Sequence, residues 1–393
     1  MKRTFAIILI TFCIPAFAQK KINVARQIDL SVKQYKKMLS DLKGPALYPH
    51  STNPDGSIKT YKSDWWCSGF FGGSLWYLYE YTRDSSLKSA ANKWTIGLQK
   101  EQFNTSTHDL GFMLYCSFGN GYRLTNSKVY KDVLLNGAHS LATRFNPKVG
   151  LIQSWNSFKG YKYPVIIDNM MNLEYLLWAA KTTKDKNYYN ICVSHADKTM
   201  ANHFRKDYSS YHVVCYDSVG NVLARKTAQG YSDESAWARG QAWGLYGYTV
   251  MYRETEDKKY LEQASHIADF FMHNPTLPVD KIPYWDFNSP TIPNDFRDAS
   301  SAAVAASALL ELCTYTEKTQ SKAYFELAEK ILESLSGPEY FSKNGNGHFL
   351  LKHSTGNKPI NSDVDVPLIY ADYYYLEALL RYDKLTEHFE KGK

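Results

Sequence analysis

Asp168 is the acidic residue whose neighbours in the sequence best suit proton-transfer chemistry. Asp168, Asn172 and Tyr175 recur at helical spacing, while Met, Leu and Trp fill the positions between and after them. A helix of this composition is buried nearly all round. A carboxyl group at its end is half withdrawn from water, where its pKa can be tuned for proton transfer. The alternative interpretation is that Asp168 only caps the helix, since Asp is a preferred N-cap residue.

The elements that would position this residue are helices, because helical periodicity runs through nearly the whole chain. We predict twelve helices with short polar breaks, at residues 22–43, 67–83, 86–102, 110–125, 128–144, 168–183, 185–205, 233–255, 258–274, 298–316, 320–337 and 365–384. Residues 212–217 and the region 150–165 are the candidates for short strands.

The predicted helices alternate between two kinds. Those that begin near residues 67, 110, 168, 233, 298 and 365 are rich in Gly, Ala, Trp and Tyr and poor in charge, whereas the others are amphipathic. A repeat of roughly 60 residues, with one buried and one amphipathic helix, is typical of a closed array of helical hairpins. We therefore predict an all-α protein that forms a single (α/α)6 barrel domain over residues 19–393.

Acidic residues stand near the starts of all six charge-poor helices. If these helices run parallel, one end of the barrel brings together Asp64-Trp65-Trp66, His108-Asp109, Asp168-Asn169, Asp233-Glu234, Arg297-Asp298 and Asp363-Val364-Asp365. Capping explains an Asp at each start, but not the tryptophans, His108 or Arg239 at the same rim. Two carboxylates that face each other across such a mouth suit acid–base hydrolysis of a glycoside, because one raises the pKa of the other. Spacing does not choose among the six.

The first 18 residues have the pattern of a secretory signal peptide. Met1-Lys2-Arg3 precede a short apolar run and the sequence Ala16-Phe17-Ala18, which predicts an exported, periplasmic protein cleaved after Ala18. The apolar run is too short to cross a bilayer, and no later stretch is long and apolar enough to do so. We therefore expect no membrane span.

Composition narrows the classes of function further. The formal net charge of +7 is scattered, and the chain has no arginine-rich run, so we expect no nucleic-acid partner. An odd number of cysteines after the signal peptide, without a Cys-x-x-Cys pair, argues against a disulfide framework or a zinc site. The 31 Tyr, 19 Phe and 9 Trp suit the stacking surfaces of a carbohydrate cleft, although most aromatic residues pack in cores.

Four motifs in the chain form a recognisable set: Trp66–Gly73, His108–Phe112, Asp168–Asn172 and Gln229–Trp243. Together they resemble glycoside hydrolase family 88, the unsaturated glucuronyl hydrolases, and the similarity runs in the family's order from about residue 60 to residue 381. The long block that ends at Trp243 is the most specific. The resemblance implies an (α/α)6 barrel, in agreement with the helix count. It also implies an oligosaccharide substrate with a 4,5-unsaturated glucuronic acid at its non-reducing end, of the glycosaminoglycan type, left by a polysaccharide lyase.

By this resemblance the enzyme hydrates a vinyl ether instead of attacking the anomeric carbon. Asp168 would be the general acid and base, which protonates C4 and activates the water that adds at C5. Asp109 would be the second essential carboxylate, which holds the sugar and sets the charge state of Asp168. The family's substrate-binding positions match Trp66, Phe70, His108, His212, Gln229, Arg239 and Trp243. The resemblance implies neither a metal nor an organic cofactor.

Structural roles are the alternative for several of these residues. Arg239 suits a uronate carboxylate, but it could instead pair with Asp233 or Glu234. His212 lies beside a predicted strand and could be an ordinary hydrogen-bonded residue. The two tryptophans of the binding set could belong to the core. The polar, basic segment 352–358 either contacts sulfates or carboxylates of a second sugar or forms a solvated loop.

Other functions stay open at this point. An unsaturated rhamnogalacturonyl or ulvan-type hydrolase would use the same chemistry on a different leaving sugar. A catalytically silent barrel would bind the unsaturated sugar without turning it over. A sugar epimerase of similar barrel shape would need several histidines at the mouth, which the chain does not show. The sequence indicates neither the parent polysaccharide nor its sulfation, nor the oligomeric state.

Overall fold

The computed structural model describes residues 22–343 and 345–391, so the predicted signal peptide lies outside the described residues. Its α-helices are α1 (Val24–Asp41), α2 (Ser68–Thr82), α3 (Ser85–Ile96), α4 (Asn120–Thr125), α5 (Lys128–Ala142), α6 (Leu173–Thr183), α7 (Lys186–His203), α8 (Ala238–Thr255), α9 (Lys258–His273), α10 (Ala299–Leu312), α11 (Lys318–Leu335) and α12 (Ile369–Lys391). A π-helical segment, Gly111–Gly119, runs into α4, and a 3-10 segment, Ile167–Asn172, runs into α6. Short 3-10 turns follow at Gln99–Phe103, Asn346–His348 and Lys358–Ile360.

Six of these helices form the inner wall of a closed barrel. In order they are α2, α4 with its π segment, α6 with its 3-10 segment, α8, α10 and α12; each contacts the next, and α12 returns to α2. Every residue of α8 from Ala238 to Met251 is buried, as is every residue of α10 from Ala299 to Leu310. Helices without a polar face must be covered on all sides, which the inner position provides.

The other six helices form the outer ring and bury one face each. In α9, for example, Tyr260, Ala264, Ile267 and Phe271 are buried at helical spacing. The all-α class and the (α/α)6 barrel predicted from the sequence are confirmed.

Two inner helices begin later than predicted. The helix α8 begins at Ala238 instead of residue 233, and α12 begins at Ile369 instead of residue 365. Asp233 binds the ammonium of Lys226 at 2.8 Å in the loop before α8. Asp363 lies on a strand, with a φ of 53°. Asp side chains that bond nearby groups compete with helical hydrogen bonding, which explains both errors.

Short antiparallel strands fill the connections that precede inner helices. They are β1 (Tyr48–Thr52), β2 (Ile58–Tyr61), β3 (Phe145–Asn146), β4 (Leu151–Ile152), β5 (Tyr163–Ile166), β6 (Val213–Tyr216), β7 (Val222–Lys226), β8 (Ser354–Asn357) and β9 (Ser362–Val366). Strands β5, β6 and β7 form one sheet in that order, and the others pair as β1–β2, β3–β4 and β8–β9. The strands predicted at 212–217 and within 150–165 are confirmed, whereas β1–β2 and β8–β9 were not predicted. Because each group leads into the start of an inner helix, the strands surround that end of the barrel.

None of the helices in residues 22–343 and 345–391 combines the length and the apolar character needed to cross a bilayer. The cysteines of this part of the chain are buried and free, at Cys67, Cys116, Cys192, Cys215 and Cys313.

Candidate active site

Asp168 lies where β5 ends and the third inner helix begins. Ile166 pairs with Val213 of β6, and the next residue, Ile167, donates its N–H to the carbonyl of His212 at 3.0 Å. The residue at the N-cap position is therefore Ile166, and Asp168 follows inside the 3-10 segment. Its Oδ2 atom is buried without a hydrogen-bond partner in the described residues. The interpretation of Asp168 as a helix cap is wrong.

Burial raises the pKa of Asp168 to about 7, because the carboxylate loses its hydration. The positive charge of Arg239 opposes this rise, and the negative charge of Asp109 adds to it. A carboxyl group with this pKa is about half protonated at neutral pH, so it can give and take a proton under one set of conditions. The negative charge of Asp109 is thus close enough to Asp168 to affect its ionisation.

His108 connects the two acidic residues. Its imidazole is buried, with Nδ1 3.0 Å from Asn169 Oδ1 and Nε2 3.3 Å from Asp109 Oδ1. Asn169 Oδ1 already accepts the amide N–H of Asn172, so it is the acceptor for His108, whose proton then sits on Nδ1. Burial lowers the pKa of His108 and favours the neutral ring. Because Asn169 follows Asp168, this contact sets the separation between the two carboxyl groups.

His212 faces Asp168 from the position just before strand β6. Its Nδ1 atom accepts the backbone N–H groups of Ala228 and Gln229 at 3.2 and 3.1 Å, which places the ring proton on Nε2. Nε2 is 3.7 Å from Asp168 Oδ2. Burial lowers the pKa of His212 to about 3, so the ring is neutral and Nε2–H is a donor directed at the site. His212 is therefore a hydrogen-bonded structural residue, as in the alternative interpretation, and it also faces Asp168.

Trp243 closes the pocket from α8. The side chain is fully buried and its ring is 5.3 Å from that of Phe112 and 5.5 Å from that of Tyr374, so it does belong to the core. Its indole N–H also faces Asp168 and lowers the pKa of that carboxyl group, although the two do not form a regular hydrogen bond.

Four polar atoms of these residues are buried without a hydrogen-bond partner in the described residues: Asp168 Oδ2, His108 Nε2, His212 Nε2 and Trp243 Nε1. His212 Nε2 and Trp243 Nε1 both face Asp168, and His108 Nε2 lies beside Asp109. Unpaired buried polar groups are rare and costly in native proteins. Such atoms on neighbouring residues indicate a site built to bind polar groups of a ligand.

Arg239 is held by a partner that spacing did not suggest. Its Nη1 atom donates to Asp298 Oδ2 at 2.8 Å, and both residues are buried. The predicted alternative partners are wrong: Asp233 binds Lys226, and Glu234 lies 3.6 Å from Arg205.

Backbone carbonyls and rings complete the surroundings of Arg239. Its Nη1 and Nη2 atoms donate to the carbonyls of Thr355 and Gly356, each at 2.6 Å. The guanidinium also lies 4.6 Å from the ring centre of Trp237 and 5.4 Å from that of Tyr370. The Nε–H group and one Nη2–H group of Arg239 donate no hydrogen bond within the described residues. This side of the guanidinium is therefore free to bind a carboxylate.

The segment 352–358 is part of the wall of the site. Ser354 and Thr355 are buried on β8, and the Gly356 carbonyl accepts from Gln229 Nε2 at 3.1 Å as well as from Arg239. The interpretation of this segment as a solvated loop is wrong, because its backbone satisfies the buried guanidinium.

The first motif, Trp66–Gly73, contributes one residue to the rim of the site and one to the core. Trp66 is half-buried and its ring is 4.9 Å from that of Tyr370, next to Arg239. Phe70 is fully buried and packs on Trp66 at 6.0 Å and on Phe112 at 5.4 Å. The structure therefore places Phe70 behind the rim as support for Trp66.

The predicted ring of six acids is only partly present. Asp109, Asp168 and Asp298 lie at the mouth, whereas Asp64 is exposed. Asp363 accepts from Ser51 and Lys59, each at 2.8 Å, and joins β9 to the first hairpin. Of the carboxyl groups of Asp109, Asp168 and Asp298, the last is neutralised by Arg239.

Comparison with known proteins agrees with this geometry. The model of Glycosyl Hydrolase Family 88 matches residues 48–386. An unsaturated glucuronyl hydrolase of Formosa agariphila is 44% identical over 92% of this chain and 91% of its own length. The chain belongs to glycosyl hydrolase family 88. An unsaturated chondroitin disaccharide hydrolase of Streptococcus agalactiae is 33% identical, over 93% of this chain and 92% of the relative. The crystal structure of an unsaturated glucuronyl hydrolase specific for heparin is 50% identical and superposes with a TM-score of 0.90, over 93% of this chain and 98% of that one.

Sequence reasoning missed three aromatic residues of this family 88 site. Trp237 and Tyr370 flank the guanidinium of Arg239. Trp155 is half-buried between β4 and β5, with its ring 6.2 Å from that of His212. A tryptophan inside a helix is explained by packing in the core, but a tryptophan in a polar loop is not. The position of Trp155 in such a loop could therefore have identified it from the sequence.

The groups at the site of this glycosidase suit proton transfer. A carboxyl group near pKa 7 stands beside a second carboxyl group, two neutral imidazoles and an indole N–H. Among residues 22–343 and 345–391, no three His, Cys, Asp or Glu side chains are arranged so that they could hold a metal ion.

Proposed function

We propose that this glycosidase of family 88 removes the 4,5-unsaturated glucuronic acid from the non-reducing end of polysaccharide-lyase products. The observation that carries the proposal is the Asp168 carboxyl group, whose pKa burial raises to about 7 in a pocket shared with Asp109. Such a group suits a reaction in which one residue first gives a proton and then takes one. The family and the names of its relatives support the same activity.

In the proposed reaction, protonated Asp168 gives its proton to C4 of the double bond, and positive charge develops at C5 and the ring oxygen. Water adds to C5, and the Asp168 carboxylate takes a proton from that water. The product is a hemiketal, whose ring opens to a ketone at C5. The hemiacetal left at C1 then releases the neighbouring sugar.

The surrounding groups have separate tasks in this proposal. Asp109, close to His108, holds sugar hydroxyls, and its negative charge keeps the pKa of Asp168 high. His212 donates its Nε2–H to Asp168 or to the attacking water. Arg239 receives the uronate carboxylate through its unbonded N–H groups, and Trp66 supplies an apolar face for the sugar ring.

We propose glycosaminoglycan disaccharides as the substrates, with heparin-type products turned over fastest. The 50% identity to the solved enzyme specific for heparin, against 33% to the chondroitin disaccharide hydrolase, supports this order. The test is a panel of unsaturated disaccharides derived from heparin, chondroitin, hyaluronan and rhamnose-linked polymers, followed by loss of the double bond's ultraviolet absorbance.

Each outcome of this panel has a defined meaning. The fastest loss of absorbance with the heparin-type disaccharide supports the proposal. A higher kcat/KM on rhamnose-linked disaccharides would assign the chain to the rhamnogalacturonyl or ulvan type. Binding of the disaccharides with unchanged absorbance over hours would show a sugar-binding barrel without catalysis.

We also propose export to the periplasm, on the basis of the first 18 residues. Expression of the full chain followed by fractionation and N-terminal sequencing tests this. A mature N-terminus at Gln19 in the periplasmic fraction is expected, and an intact Met1 terminus in the cytosol contradicts the proposal.

A further inference from the structure

A second cavity lies inside the barrel, beyond the layer that carries the two carboxyl groups. Its volume is about 510 Å³, and its walls come from the middle and the C-terminal parts of α2, α4, α6 and α12, together with α8. Phe112 and Met171 line the near side. Phe112 also contacts Trp243, and Met171 is three residues after Asp168, so this layer separates the cavity from the active site. The cavity therefore belongs to the opposite end of the barrel.

The charged groups at the outer end of this cavity neutralise one another. Glu80 accepts both Nη atoms of Arg123 at 2.9 and 2.6 Å and lies 3.1 Å from the ammonium of Lys384. Arg381 pairs with Glu311 at 2.9 Å. These pairs leave no cation that is free to hold an ionised ligand.

The deeper carboxylates of the cavity are also bonded. Glu174 is paired with Arg253 at 2.6 Å. Glu377 accepts the hydroxyls of Tyr77 at 2.7 Å and Tyr246 at 3.1 Å. The interior is thus polar, but without an unpaired charge.

Uncharged donors remain available. Tyr115, Tyr122 and Tyr374 line the cavity, and their hydroxyls make no hydrogen bond within residues 22–343 and 345–391; the same holds for the indole N–H of Trp178. The Trp178 ring lies 5.8 Å from that of Tyr122 and 6.1 Å from that of Tyr115, which makes an aromatic wall. Hydroxyl and indole groups beside aromatic faces bind molecules that carry both C–H surfaces and hydroxyls.

We propose that this cavity is a second binding site, for a neutral carbohydrate of one or two rings. Its volume of about 510 Å³ falls in the range of small-molecule sites, roughly 300–1,000 Å³. The paired charges select against an ionised sugar, because an anion would have to break an existing ion pair. The proposal stands apart from the reaction at Asp168, whose substrate carries a carboxylate.

Ligand-observed NMR and calorimetric titration of the mature enzyme test the proposal, with glucose and N-acetylglucosamine as neutral probes and glucuronic acid as the charged comparator. The double variant Tyr115→Phe, Tyr374→Phe removes two donors and keeps the shape of the cavity. We expect it to bind the neutral probes about 25-fold more weakly, since each lost neutral hydrogen bond costs about fivefold. The matched control is Tyr252→Phe, an inner-helix hydroxyl outside the cavity, and it should bind as the parent does.

Three results would overturn the proposal. They are failure of both neutral probes to bind, equal affinity of the double variant and the parent, and glucuronic acid binding that weakens in the double variant as much as glucose binding does. Neutral-sugar binding that is lost in Trp66→Ala but kept in the double variant would place the sugar at the mouth and also overturn it. If the double variant does not fold, the single Tyr→Phe variants serve, each with an expected loss of about fivefold.

Discussion

Replacement of Asp168 by Asn tests two properties of this carboxyl group separately. One is the effect of its burial on the stability of the fold, and the other is its role in catalysis. The folded protein binds the Asp168 proton more tightly than the unfolded chain does, since burial raises the pKa from 3.8 to about 7. At about 1.36 kcal/mol for each pKa unit, this rise corresponds to about 4 kcal/mol. That stability is fully present below pH 3.8 and is lost as the pH rises through 7. The Asn side chain has no proton to lose, so the variant avoids this loss.

The assay compares the Tm of the parent and of Asp168→Asn at pH 4.5 and at pH 8.5. We expect the Tm of the variant minus the Tm of the parent to be several degrees larger at pH 8.5 than at pH 4.5. Other titrating groups cancel in this difference, because both proteins contain them. In the same samples, the rate at which the substrate's absorbance is lost should be at least about 10²-fold lower in the variant, because Asn can neither give nor take the proton.

The matched control is Asp363→Asn, for which no change in the Tm difference between the two pH values is expected. Burial opposes ionisation of Asp363, but hydrogen bonds from His50 and Lys59 outweigh it and hold the pKa below its usual range. Its stabilisation is present above the unfolded pKa of 3.8 and is lost only as the pH falls below that value, so this variant should be destabilised by about the same amount at pH 4.5 and at pH 8.5. An Asp168→Asn variant with the same Tm difference at both pH values would refute the buried-acid reasoning. Turnover close to that of the parent would refute its assignment as the acid.

Three further predictions follow from the site. The kcat/KM of the parent should fall about tenfold per pH unit above pH 7, since Asp168 must be protonated to react; a level profile to pH 9 would contradict this. His212→Gln should lower kcat by about 10²-fold with little change in KM, because Nε2–H faces the reacting carboxyl group; a change confined to KM in steady-state assays would show that His212 only binds substrate. Gly111→Ala would place a Cβ 2.5 Å from Asn172 Oδ1, so we expect a loss of about 1–3 kcal/mol in denaturant unfolding together with lower activity. The control Gly72→Ala, whose nearest contact is a side-chain atom at 3.2 Å, should lose less, and equal losses would show that the site does not depend on this close approach.

Sequence patterns predicted the barrel because the burial of each helix determines which of its residues are apolar. Inner helices such as α10 are apolar on every face and outer helices such as α9 on one, and this difference is visible in any stretch of the chain. Spacing did not choose Asp168 and Asp109 among the six acidic helix starts, and their selection rested on the resemblance of whole motifs to the family. The starts of α8 and α12 could not be predicted from the sequence, because Asp233 and Asp363 find partners that compete with helix capping.

The amino-acid sequence by itself determined the alternation of helices and the all-α barrel, because each depends on composition within single helices. The choice of Asp109 and Asp168 rested on the resemblance to the family. Only the tertiary structure decided that Arg239 pairs with Asp298 and with the carbonyls of the 352–358 segment, more than 50 residues away in the chain. The tertiary structure also decided which carboxyl group is buried away from water. A pKa near 7 at Asp168 is the sum of burial and of charges from other helices, and no spacing along the chain contains that sum.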